Sequence, residues 1–207
     1  MASTDKPAVV SESPPKSEAV PPEAAADAAL AKFAFDYSFV DVTARIFVFA
    51  AALCSVVVMV TSEQTEVVPV PGLPGVRLPL PAKFNHSPAL IYFVAALSVT
   101  GLYSIITTLA SVSVILKPVY SKTFLLAFAF LDVVFVGIVA SATGAAGGVA
   151  YIGLKGNSHV GWTKICNVYS KFCRYNASSI ALALFAAILL ALLSMMSTFK
   201  LYKKIRD

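Results

Sequence analysis

Two ionisable residues stand in stretches of this chain that are otherwise apolar. Arg45 comes just before the run Ile46–Val60, in which every residue but Ser55 is apolar, and Asp132 sits between Leu131 and Val133-Val134-Phe135. A charge inside lipid is expensive and marks a functional or structural site by default. Two arrangements suit these residue types. The guanidinium forks onto the carboxylate as a buried ion pair, or Arg45 snorkels to headgroups while Asp132 faces a polar cavity. If both spans start at the same surface, Arg45 lies about 6–8 Å deep and Asp132 about 13–15 Å deep. An arginine side chain reaches across most of that gap, so the expectation is an intramembrane Arg45–Asp132 pair. A proton relay would need further titratable partners, and Asp132 has none beside it in sequence.

The remaining reactive side chains are few. Cys166 and Cys173 stand close together in a polar segment. A disulfide is the first reading, favoured in an oxidising compartment. Zinc is the rival, but it needs more ligands and His159 is the only candidate nearby. Cys54, inside an apolar run, reads as packing. Asn85-His86-Ser87 and Asn176-Ala177-Ser178 are sequons, making Asn85 and Asn176 candidate glycosylation acceptors. No GxxxxGKS or GxxxxGKT, HExxH or GxSxG motif occurs. No catalytic residue, metal or cofactor is expected. Lys155, Lys164, Lys171 and Arg174, with Trp162, Tyr169, Phe172 and Tyr175, make one loop cationic and aromatic. That loop either meets a partner or rests at the membrane interface.

The elements that must position these residues are long apolar segments. Of 207 residues, 58% are hydrophobic and 13% charged, about half the charge of a soluble chain. Spans are expected at about 41–61, 88–116, 123–152 and 177–199, each long enough for a hydrocarbon core of about 30 Å. The third exceeds that thickness, so it must tilt, extend or break, with Gly144, Gly147, Gly148 and Gly153 as the break points. Residues 62–88 are rich in proline and glycine and read as turns or polyproline. Small residues recur at four-residue spacing: Ala96, Thr100 and Ser104; Ala140, Gly144 and Gly148; Ala183, Ala187 and Ala191. Such stripes let helices approach closely in lipid.

Residues 1–36 carry three lysines, six acids and several prolines. They read as a disordered tail, with Ala24–Ala31 as a transient helix. The basic residues nearest the spans divide seven to six in favour of both termini inside. The net charge of +5 is spread along membrane edges, which does not suggest a nucleic-acid binder. The fold class expected is thus an all-α membrane protein: a four-transmembrane-helix bundle over 37–202, a disordered cytoplasmic N-terminal tail over 1–36, and a basic cytoplasmic end over 203–207.

Arg45 in the first span and Asp132 in the third are joined by Ala82-Lys83-Phe84-Asn85-His86-Ser87-Pro88-Ala89 and Gly101-Leu102-Tyr103-Ser104. With Gly156-Asn157-Ser158, Trp162 and the two loop cysteines, these residues resemble the plant CASP-like family, relatives of the Casparian strip membrane domain proteins. More distantly they resemble the MARVEL tetraspan group. The resemblance covers about residues 37–202. It implies a plasma-membrane scaffold that forms homo- and hetero-oligomers with related members, organises membrane subdomains and meets cell-wall or secreted partners outside. The stretch Val67-Val68-Pro69-Val70-Pro71-Gly72 departs from the signature of the founding members, which favours the broader class. The competing expectation is a small channel or transporter using Asp132 as a cation or proton site.

Overall fold

The computed structural model describes residues 22–69, 75–116 and 122–206. Four helices carry the fold: α1 (Pro22–Val60), α2 (Pro88–Leu116), α3 (Lys122–Lys155) and α4 (Ser170–Arg206). Within them Phe39–Val60, Pro88–Ser113, Leu126–Lys155 and Ser170–Phe199 are long and apolar enough to cross a membrane. The chain is a multi-pass membrane protein. In hydrocarbon every backbone group must be satisfied internally, which leaves helices as the natural form for such runs. The bundle belongs to the second of two compact units, Ser38–Asp207; the first, Met1–Tyr37, contributes helical backbone from Pro22.

Several boundaries differ from the sequence expectation. Helical backbone begins at Pro22, inside the segment read as tail. Proline is tolerated in a first helical turn and the alanines that follow are strong helix formers. The rest of that tail, residues 1–21, lies outside the described residues, as do residues 117–121 between the second and third expected spans. The third span does not break at its glycines: α3 is helical without interruption to Lys155. Its 34 residues make about 51 Å of helix, longer than a hydrocarbon core of about 30 Å. α4 begins at Ser170 rather than 177, drawing the seven residues before the expected fourth span into helix.

The core is small and contributed by all four helices. Val48, Ala52 and Met59 of α1 meet Phe93 and Leu97 of α2, Val139, Ala142 and Ala146 of α3, and Ala183, Leu190 and Leu193 of α4. The alanines of α3 and α4 let these two backbones approach closely, since packing in lipid rests on contact between small residues. Large apolar side chains such as Phe47, Leu53, Ile106, Val133 and Leu192 point outward instead, as lipid permits and water would not.

The first loop, expected as turns and polyproline, contains a hairpin. β1 (Gln64–Pro69) pairs antiparallel with β2 (Arg77–Ala82). The register Thr65↔Pro81, Val67↔Pro79 and Pro69↔Arg77 puts Pro69, Pro79 and Pro81 at alternate pairs of one parity. Their missing N–H groups therefore fall where a two-stranded ladder needs no donor. Proline content alone hid this, because its effect depends on parity and not on count.

The hairpin docks on the start of α4. Gln64 Oε1 accepts a hydrogen bond of 2.8 Å from the Phe172 backbone N–H, and the Tyr169 hydroxyl donates to the Leu80 carbonyl at 3.0 Å. The first bond satisfies one of the amides that a helix N-terminus leaves free. Between α3 and α4, Asn157 and Trp162 exchange two backbone hydrogen bonds of 2.9 Å. Gly156 permits this at φ +69°, since a Cβ there would sit 2.7 Å from the Trp162 carbonyl oxygen. The Cys166–Cys173 disulfide, with Cα atoms 5.6 Å apart, then ties the loop to the first turn of α4.

The fold separates two faces of α3, and substitution reads the difference. Ala146→Leu forces bulk into the closed α3–α4 contact and is expected to destabilise the bundle by about 1–3 kcal/mol. Gly144→Leu places the same side chain in open space and should leave stability unchanged or raised. Unfolding of the purified protein in mixed detergent micelles measures both, and equal losses would contradict the assignment of faces.

Candidate functional site

α1 and α3 bring Arg45 and Asp132 together. Arg45 Nη1 donates to Asp132 Oδ1 at 3.1 Å and Nη2 donates to Oδ2 at 2.9 Å. The guanidinium plane thus forks onto the carboxylate, the geometry in which charge-assisted hydrogen bonds are strongest. Arg45 is 3% exposed and Asp132 is fully buried. The snorkelling arrangement is therefore not the one adopted here.

Three residues that sequence reasoning did not place in the site complete it. Asp41 Oδ2 accepts from Arg45 Nε at 3.2 Å, one helical turn back along α1. Ser111 Oγ donates to the same oxygen at 2.9 Å. The Tyr103 hydroxyl donates to Asp132 Oδ1, while its ring stacks on Phe135 with centroids 4.0 Å apart. α1, α2 and α3 are thereby linked through one polar cluster. Asp41 was visible in sequence as an acid four residues before Arg45, the spacing that shares a helix face. Tyr103 stood in the Gly101-Leu102-Tyr103-Ser104 stretch that carries the family resemblance, but nothing marked it as a partner of Asp132, and Ser111 gave no signal, because a serine within a span is ordinary.

The cluster satisfies itself. Both Asp132 oxygens accept hydrogen bonds, and Arg45 uses all three of its side-chain nitrogens. Among the described residues no group of three or more His, Cys, Asp or Glu is placed to hold a metal ion. A second polar contact joins α1 to α4 nearer the hairpin end. Ser55 Oγ donates to the Ser179 carbonyl at 2.8 Å, and Ser179 Oγ donates to the Ser55 carbonyl at 2.7 Å. Each hydroxyl proton is spent on the opposite backbone, so two small residues act as a reciprocal clasp.

The small-residue stripes part company. Ala96, Thr100 and Ser104 are buried on α2. Thr100 turns its hydroxyl back onto the Ala96 carbonyl at 2.8 Å, which removes the need for a partner on another helix. Gly144 and Gly148, expected as packing positions, are exposed, with nothing within 4 Å of the place a Cβ would occupy. The reason is angular. At about 100° per residue their stripe lies roughly 170° round α3 from the buried Val139–Ala142–Ala146 face. Cys54, also read as packing, is likewise exposed.

Of the two sequons, Asn85 is exposed in a short 3-10 turn, Phe84–His86. Asn176 lies inside α4 and is 5% exposed. The aromatic, cationic segment is also less of a free loop than expected. Phe172 and Tyr175 are part of α4, and Lys171 Nζ stands 5.9 Å above the Tyr175 ring.

Comparison with known proteins places this chain in a family. Residues 36–189 match the Casparian strip membrane protein domain. The chain is 58% identical over 205 residues to a CASP-like protein 1D1 of Populus trichocarpa, covering 99% of each. A CASP-like protein 1D1 of Vitis vinifera is 61% identical over 170 residues, 82% of this chain and 81% of the relative. A CASP-like protein 1D2 of Arabidopsis thaliana is 52% identical over 182 residues, 88% of this chain and 91% of the relative. No solved structure matches.

Removing one partner of the buried pair leaves the other charge stranded. Arg45→Ala and Asp132→Leu are each expected to lower unfolding free energy by about 3–5 kcal/mol. The double variant Arg45→Met with Asp132→Leu removes both charges and should lose less than the two single losses added together. A double-mutant cycle in detergent unfolding measures this coupling, and additive losses would count against a paired cluster.

Proposed function

Because the chain belongs to the Casparian strip membrane protein domain family, and with it to the CASP-like proteins of plants, we propose that it is a membrane-organising scaffold of the plasma membrane. In this reading it performs no reaction. It assembles laterally with copies of itself and with related members, and the assembled patch organises a membrane subdomain or holds cell-wall modifying partners. The observation that carries the reading is the outward stripe of α3. Gly137, Gly144 and Gly148 have nothing within 4 Å of their Cβ positions, and Ala140 between them is exposed. A face of small residues at that spacing permits close backbone contact with another helix. Bundle packing is met elsewhere, by Ala142 and Ala146, so this stripe is free for assembly.

The buried cluster supports the same reading. A cation or proton site would need a carboxylate with an oxygen to offer, whereas both Asp132 oxygens are engaged by Arg45 and Tyr103. A locked cluster serves a rigid building block better than a transport path. The orientation proposed is termini in the cytoplasm and hairpin end outside. It is supported by the Cys166–Cys173 disulfide at the hairpin end, since disulfides persist in oxidising compartments.

Fluorescence recovery after photobleaching of the full chain, tagged and expressed in plant cells, tests the proposal. Wild type should form a patch with slow or no recovery. Gly144→Leu combined with Gly148→Leu should diffuse freely while keeping wild-type stability in detergent, because it blocks only the outward face. Arg45→Ala and Asp132→Ala should lose the patch along with the fold. Free diffusion of wild type, or a patch unaffected by the glycine variants, would defeat the proposed interface. An ion current abolished by Asp132→Asn would favour the transport reading instead.

A further inference from the structure

A large cleft lies at the hairpin end, away from the charge cluster. The last turns of α3, the first four turns of α4, the start of α2 and the end of β2 enclose about 950 Å3. Its walls are apolar, with Leu90, Val149, Leu154, Phe172, Ile180 and Leu184 among them. From Ser170 to Leu184 the cleft follows α4 for about 21 Å. That is longer than one leaflet's half of a hydrocarbon core of about 30 Å.

The basic side chains of the cleft, Lys83, His86 and Arg174, face no acid in its lining. Lys83 is held 3.3 Å from Glu63, whereas Arg174 has no ion pair among the described residues. Lower in the cleft stands Asn176, 5% exposed, whose Oδ1 is buried without a hydrogen-bond partner. A buried polar atom left unpaired is costly, and the cost is worse where water is scarce. This acceptor asks for a donor from outside the chain. The surroundings add to the positive field: between Leu154 and Asn176 the chain has Lys155, Lys164, Lys171 and Arg174 and no acid.

We propose that the cleft binds one anionic phospholipid from the leaflet on the hairpin side, a lipid whose headgroup also carries hydroxyl donors. One acyl chain lies along Ile180 and Leu184. The phosphate pairs with Arg174, and a headgroup hydroxyl donates to Asn176 Oδ1. Each feature of the cleft then has a counterpart in the ligand: hydrocarbon for the walls, an anion for the unpaired guanidinium, a donor for the unpaired amide oxygen. A free phosphate would leave the apolar walls unfilled, and a zwitterionic choline lipid supplies neither net charge nor donor. Gly137, Ala140, Gly144 and Gly148 of the outward α3 stripe do not line the cleft, although Gly147 and Val149 beside the last of them do.

The test uses the full chain reconstituted in vesicles of equal parts dioleoylphosphatidylglycerol and dioleoylphosphatidylcholine. After extraction in mild detergent, native mass spectrometry reads the lipid retained. Wild type should keep one phosphatidylglycerol in preference to phosphatidylcholine. Arg174→Gln should lower that preference about fivefold, the effect of one basic residue near an anionic headgroup. Asn176→Leu should lower it while leaving detergent unfolding unchanged or improved, since it removes an unpaired group. Ala181→Trp should fill the wall and displace either lipid.

Equal retention of the two lipids overturns the proposal, as does a preference untouched by Arg174→Gln and Asn176→Leu, which would mean annular lipid only. A second copy covering the cleft would also overturn it. That outcome would appear as a lipid-free dimer mass lost in Ala181→Trp. Should Ala181→Trp fail to fold, Arg174→Gln and Asn176→Leu alone decide the matter.

Discussion

A guanidinium and a carboxylate withdrawn together from water lose several kcal/mol each in hydration, and only good geometry with further hydrogen bonds recovers it. In this bundle the recovery depends on a cluster of five residues on three helices. Arg45 forks onto Asp132, Asp41 takes its third nitrogen, and Tyr103 and Ser111 of α2 add second hydrogen bonds to Asp132 Oδ1 and Asp41 Oδ2. The arrangement is all-or-none. Sliding α1 against α3 by one residue, about 1.5 Å, would break both prongs of the fork at once. Apolar packing in lipid has no such sharp minimum, because lipid tails solvate a leucine as well as another helix does. A cluster with so narrow a geometry would favour one register over others of similar packing energy, as polar groups do in some helical assemblies.

Once that register is set, the faces of each helix are no longer free. With Asp132 inward, Val139, Ala142 and Ala146 follow on the same side of α3, and Gly137, Ala140, Gly144 and Gly148 are turned outward. The Ser55–Ser179 clasp fixes α4 against α1 further along, and the alanines of α4 close the contact with α3. The same constraint sets the hairpin end. Phe172 near the start of α4 has to be where Gln64 can meet its amide, and Tyr169 where it can reach β2. A single charge pair near one surface thus propagates through rigid helices to the shape of the opposite one.

Much of this was legible in the chain because lipid simplifies the code. Long apolar runs can only be helices, so the number of spans and most of their ends were readable. The rarity of charge made Arg45 and Asp132 stand out. What escaped reading was whatever depends on rotation about a helix axis or on parity along a strand. Gly144 and Gly148 look like packing residues at any rotation, and only the Asp132 face decides that they point outward. Pro69, Pro79 and Pro81 look like strand breakers until their common parity is known. Asn176 matches a sequon perfectly well as a string, yet the early start of α4 buries it. The roles of Tyr103 and Ser111 could not be read for the related reason that their partners lie on other helices.

The two ends of the bundle then pose opposite physical problems. At the Arg45 end the buried polar groups are balanced within the chain, and such a site has little left to offer a ligand. At the hairpin end Asn176 keeps an acceptor without a donor, and Arg174 a cation without an anion, beside apolar walls that enclose no side chain of their own. Natural interiors leave few polar atoms unpaired. An exception that opens on a membrane is best understood as half of an interaction whose other half is supplied by the bilayer. Folding specificity is concentrated where the chain is complete, and recognition where it is not.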